Sequence, residues 1–155
     1  IAAFFSLEIS VLKSQAELKI EYERMMEVES QITKLKATLA PFFIRSDGFS
    51  ANFSSYLGLK GNIILLENYE ASANYFPTKW NLAANCVEMV RKTIESTDHA
   101  LNGPCRPDYI LINTYNFTNE ECQKIVKNID ANYSLIYSEE PLYLYENNYI
   151  TLRQR

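Results

Sequence analysis

"NIILLE", Asn62–Glu67, is a continuous apolar run closed by an acid, and its reading decides the fold. It follows the turn formers "KG" and is short, which is the pattern of a strand buried on both faces of a parallel sheet. Two further runs of the same kind lie downstream, "DYILIN" at Asp108–Asn113 and "YSLIY" at Tyr133–Tyr137. Between the first two, a helix is expected from Thr78 to about Ser96, with Thr78 as its N-cap and Leu82, Val87, Val90 and Ile94 facing the core. Between the second and third, "TNEE" places Glu121 three residues after Thr118. This is a capping box, and it opens a helix to about Ile129. Then "SEEP" turns into "LYLYE" and "NN" turns into "YITLR". Their alternation of tyrosine with aliphatic residues predicts an antiparallel hairpin at a sheet edge. The expected fold class is α/β: a small mixed, mainly parallel sheet flanked by helices, with a C-terminal β-hairpin.

Upstream, residues 5 to 39 contain neither Gly nor Pro. Leu18, Tyr22, Met25, Val28, Ile32, Leu35 and Leu39 recur at steps of three and four, the spacing of one helical face. A long N-terminal helix is expected over this span, ended by Pro41, which pushes the residue before it out of the helical region. Unbroken, it would reach about 50 Å at 1.5 Å per residue, so it breaks near Ser14 or Ser30 or its front end projects. The expected organisation is a helical segment, 1–40, followed by one α/β domain, 41–155. The segment from Pro41 to Gly61 reads as a connector with helical tendency around Ala51–Leu57.

With 155 residues, 47% hydrophobic and 22% charged, the composition is that of a globular chain able to bury a core, not of a disordered one. Net charge is −4 and the Lys and Arg residues are scattered, so no basic stripe marks a nucleic-acid partner. Cys86, Cys105 and Cys122 form no disulfide framework. Either one pair bridges, Cys105 with one of the others, or the thiols stay reduced. Neither CxxC nor a Cys/His cluster is present to hold zinc, and no cofactor-binding motif occurs. Glycosylation-type triplets at Asn52, Asn116 and Asn132 matter only for a secreted eukaryotic chain.

In open α/β sheets, ligands bind beyond the carboxyl ends of parallel strands. Those ends are "ENYE" and "NTYN", which makes Glu67, Asn68, Tyr69, Glu70, Asn113 and Tyr115 neighbours by topology, with Lys79 and Trp80 leaning over them. Carboxylates, amides and aromatic rings together suit a sugar or another polyol. The competing reading makes Asn68 and Asn113 turn caps, Trp80 a packing residue and the acids solvated. His99, the one histidine, sits where a helix end gives way to a loop, and a cation there is favoured by the helix dipole alone. Glu139 and Glu140 fall in a turn. No catalytic residue is assigned.

"GNIILLENYEASANYFPTKWN", "RPDYILIN" and "YSLIYSEEPLYLYEN", taken in order after an apolar-ended helix, resemble the C-terminal extracytoplasmic domains of bacterial GT-C-type glycosyltransferases, the dolichyl-phosphate-mannose-protein mannosyltransferase-like group. In that family a soluble α/β domain follows the last transmembrane helix, and the catalytic acids lie in an early loop that has no counterpart here. The resemblance implies a place on the periplasmic face of the cytoplasmic membrane. It also implies the membrane-embedded part of the same polypeptide as partner, and a sugar or lipid-linked sugar near the rim. It makes "IAAFFSLEISVL" the trailing end of a membrane helix. The alternative is a cytoplasmic, stand-alone interaction domain that docks a partner or forms a homodimer through its long first helix.

Overall fold

In the computed structural model the structure describes residues 2–42, 57–58, 61–66, 106–115, 118–129 and 132–149, with side chains from residue 14 onward in the first segment. The elements, in chain order, are α1 (Ala2–Gln31), β1 (Ala37–Phe42), β2 (Ile63–Leu65), β3 (Tyr109–Asn113), α2 (Asn119–Ile129), β4 (Tyr133–Glu139) and β5 (Leu142–Asn147). The expected helix from Thr78 to Ser96, together with His99, Cys86, Cys105, Asn52 and Asn116, lies outside the described residues.

The five strands form one mixed sheet in the order β2-β1-β3-β5-β4. β2, β1 and β3 are mutually parallel, with Leu39 paired to Leu65 on one side and to Tyr109 on the other. β5 runs antiparallel to β3 and β4 antiparallel to β5. The sheet is mixed, as expected, but these antiparallel ladders are the longer ones, so it is mainly antiparallel rather than mainly parallel. The three apolar runs, expected side by side and pointing the same way, do share a direction, but no two of them are neighbours, and the expected pairing of "NIILL" with "YILI" is corrected. β1 separates β2 from β3, and β5 separates β3 from β4. The connection through Glu140 and Pro141 explains the second insertion, because so tight a turn forces β4 and β5 together as a hairpin. "YSLIYSE" and "LYLYEN" therefore form a hairpin, while residues 150–153 of the expected "YITLR" strand lie outside the described residues.

The helix ends at Gln31, not at Leu39, and Ala37–Phe42 is a strand that spans the boundary expected at residue 40. The Ile32 N–H donates to the Glu29 carbonyl at 3.0 Å, tightening the last turn, and Lys36 takes a left-handed φ of 54° before the chain enters the sheet. Five of the six β1 residues are buried, as a strand with a neighbour on each side requires. Pro41 is tolerated for a geometrical reason. Ala37 donates its N–H to the Asn62 carbonyl and Leu39 accepts from the Leu66 N–H, so the odd-numbered residues of β1 face β2. Pro41 faces the same way but lies past Leu39, the last residue paired there among the described residues, so its missing N–H removes none of the described ladder bonds.

Side chains alternate across the sheet with a period of two. Ala37, Leu39, Tyr109, Leu111, Leu142 and Leu144 meet Met25 and Val28 of α1 on one face. Ala40, Phe42, Ile110, Ile112 and Tyr145 meet Ile125 and Ile129 of α2 on the other. The molecule is thus a helix–sheet–helix sandwich over its described parts. Of the expected α1 stripe, Met25 and Val28 are fully buried and Leu18 and Ile32 pack against the core, while Tyr22 is exposed. Leu35, beyond the helix end, is 75% exposed.

α2 starts as its sequence predicts. The Thr118 N–H donates to Glu121 Oε2 at 3.0 Å, and the Glu121 N–H returns a bond to Thr118 Oγ1 at 3.3 Å. Such a reciprocal cap contributes about 1 kcal/mol.

At the amino ends of the parallel strands, Asp108 clamps β3 to β1. Its Oδ2 accepts from the Thr38 N–H at 2.8 Å and from Thr38 Oγ1 at 3.0 Å, while the Asp108 N–H donates to Thr38 Oγ1 at 2.9 Å. Lys34 closes the cluster by pairing with Asp108 Oδ1. Beside it, Tyr133 Oη and Asn147 Nδ2 both donate to the Pro107 carbonyl, at 2.9 and 3.2 Å. Burial pushes the Tyr133 phenol well above its ordinary pKa.

Candidate functional site

The carboxyl ends of β2, β1 and β3 lie along one rim, at the opposite end of the sheet from the Asp108 clamp. Because β1 intervenes, the ends of β2 and β3 are two strand spacings apart, about 9–10 Å. A ligand touching both must therefore cross the end of β1. Glu67, Asn68, Tyr69, Glu70, Lys79 and Trp80, expected on this rim, lie outside the described residues. Asn113 and Tyr115 are placed. Asn113 is buried, and its Oδ1 accepts the Tyr115 N–H at 2.9 Å, so its carboxamide holds the turn that leaves β3. The Tyr115 ring is exposed.

The rim is closed on its far side by the β4–β5 turn. Thr114 donates to the Pro141 carbonyl from both its N–H, at 2.8 Å, and its Oγ1, at 3.1 Å. Since Asn113 pairs with Leu142, this turn sits directly beyond the end of β3. Glu140 lies in the turn as expected, whereas Glu139 is the last residue of β4 and pairs with Leu142.

On the α2 face of the rim lies a cavity of about 430 Å³, between the first turns of α2, the end of β3 and the hairpin turn. Thr114, Asn119, Cys122, Glu140 and Tyr143 supply its polar lining; Ile112, Val126 and Leu135 are among its apolar walls. Cys122 is a free, half-buried thiol. Burial, then the Glu121 carboxylate and last that of Glu140, raises its pKa against an opposing backbone hydrogen bond. The thiol is neutral near pH 7, which makes it a poor nucleophile.

Sequence reading did not single out these cavity residues as a site. The signal was present in "NTYNFTNEE", a strand end, a short junction and a capped helix start, which is the βα junction where this architecture opens a cleft. Glu140 was visible as a turn residue, but only the antiparallel insertion of β5 carries that turn to the end of β3.

On the other face, Tyr137 joins β4 to α1. Its hydroxyl lies 3.1 Å from Glu27 Oε2 and 2.8 Å from Glu139 Oε2. Burial and the two carboxylates raise its pKa, in that order.

Among the described residues no group of three or more His, Cys, Asp or Glu is placed to hold a metal ion, and no helix is long and apolar enough to cross a membrane. No family model, curated protein or solved structure matches the chain.

Proposed function

We propose that the chain is a non-catalytic extracytoplasmic domain of a bacterial, glycosyltransferase-like membrane protein. It follows that protein's last membrane helix and helps to position a sugar or acceptor at its rim. The observation that supports this most is how α1 docks. It is one helix of 30 residues, about 45 Å long at 1.5 Å per residue. Among its described side chains, Leu18, Met25, Met26 and Val28 pack on the core, whereas Ser14, Gln15, Ala16 and Glu17 are exposed. The apolar stretch "AAFFSLEISVL" belongs to the same helix and precedes these residues in sequence. One long helix that opens in apolar sequence and docks on the sheet through Leu18 to Val28 is the arrangement expected of a strut between a membrane part and a cap.

Ile20 and Tyr22, roughly half exposed on α1, favour a second reading in which the helix docks a partner or another copy of the chain. Reporter fusions after Arg155 of the complete natural polypeptide separate the two. The membrane reading expects active alkaline phosphatase, dark green fluorescent protein, and retention in the membrane after a carbonate wash. A fluorescent fusion with inactive phosphatase, or a chain recovered wholly in the soluble fraction, overturns it in favour of the second.

A further inference from the structure

We propose that the cavity between α2 and the β4–β5 turn binds a neutral sugar ring. This inference rests on the sugar-facing reading above and moves the contact onto residues which that reading did not include. At about 430 Å³ the cavity falls within the range of small-molecule sites, about 300–1,000 Å³. Its chemistry selects the ligand class. The walls include the rings of Tyr143 and Tyr145 with Ile112 and Val126, so the ligand must present an apolar face. The same lining carries the Asn119 carboxamide, the Glu140 carboxylate and the Thr114 hydroxyl. Thr114 Oγ1 already donates to the Pro141 carbonyl, so towards a ligand it is an acceptor. Glu140 is an acceptor too, and Asn119 offers both donors and an acceptor.

A purely aliphatic ligand would strip water from these three groups without replacing it, an unfavourable exchange. An anionic ligand meets Glu140 and finds no Lys or Arg among the described residues of the lining. A metal cation finds one carboxylate in this lining, and among the described residues no group of three or more His, Cys, Asp or Glu is placed to hold one. What remains is a neutral molecule with several hydroxyl donors around C–H faces, that is, a pyranose ring.

Titration of the isotope-labelled chain with methyl α-D-glucopyranoside, methyl α-D-mannopyranoside and methyl β-D-galactopyranoside, with glucose 1-phosphate as the charged control, tests this. At least one neutral glycoside is expected to shift the Thr114, Cys122 and Tyr143 amide resonances saturably, with a Kd on the order of 10 mM. The Lys34 and Asp108 resonances, at the other end of the sheet, stay put. Asn119→Ala weakens binding about tenfold, and Val126→Phe, at a partly exposed wall position, fills the cavity and abolishes it. Circular dichroism of both variants matches the parent. Absence of saturable shifts with all three glycosides overturns the proposal. So does equal binding of glucose 1-phosphate, or binding unchanged in both variants. The reporter fusions are read independently: a periplasmic domain that binds no glycoside refutes the cavity site alone, and a cytoplasmic domain that binds one refutes the membrane placement alone.

Discussion

Leu111→Ala is expected to lower the free energy of unfolding by about 3–4 kcal/mol, within the range for truncating a fully buried leucine. Leu111 is 0% exposed on β3, at the middle of the sheet, in the core that Met25 and Val28 of α1 complete. The surrounding strands are hydrogen-bonded on both sides and cannot collapse into the space left behind, so the cavity cost adds to the lost transfer energy. For a domain whose whole stability is about 5–15 kcal/mol, that is a large fraction. Leu35→Ala is the matched control. In a helix running to residue 39, Leu35 would belong to the same apolar face as Met25 and Val28. In the structure it follows the helix end and is exposed, so its truncation stays within about 0.5 kcal/mol of neutral. Urea unfolding of the two variants checks both values. Similar losses at Leu35 and Leu111 would contradict the helix end at Gln31.

Asp108→Ala comes next, at about 2–4 kcal/mol. The substitution removes the acceptor for the Thr38 N–H and hydroxyl and strands the half-buried Lys34 ammonium, at the point where β1 and β3 begin. Asp108→Asn keeps an acceptor for Thr38 and gives up only the charge, so it costs about 1 kcal/mol. This ordering, Ala well above Asn, identifies the Thr38 bonds as the main contribution, and chemical denaturation measures it. Equal losses would place the effect in the Lys34 ion pair instead.

Much of the frame was legible in the sequence. The runs "NIILL", "YILI" and "YSLIY" do become strands of common direction, and the Thr118–Glu121 capping box opens α2 as read. The strand that organises the sheet was not legible. "ATLAPF" continues a helical spacing through Leu35 and Leu39 and contains a proline, two local signals that argue against a central strand. Both are overridden by pairing far along the chain: Ala37–Phe42 fits between β2 and β3, and Pro41 falls just beyond the last β2 partner. Side-chain periodicity reports a residue's local period but not which strand lies beside it, so the insertions of β1 and β5 escaped.

The same limit shaped the site. Asn113 was read both as a ligand contact and as a turn cap, and the structure shows its oxygen engaged in the turn. The cavity was missed because Thr114, Asn119, Cys122, Glu140 and Tyr143 come from three separate segments. They meet only once β5 has folded back beside β3.

The central claim is that β1 lies between β2 and β3, so that three carboxyl ends form one rim. Cross-strand nuclear Overhauser effects on the labelled chain test it most directly. Backbone contacts are expected between Thr38 and Ile64 and between Ala40 and Ile110, with none joining Ile64 to Ile110. Helical contacts of the i to i+3 kind running from Ile32 through Leu39, or direct pairing of Ile64 with Ile110, would contradict the account.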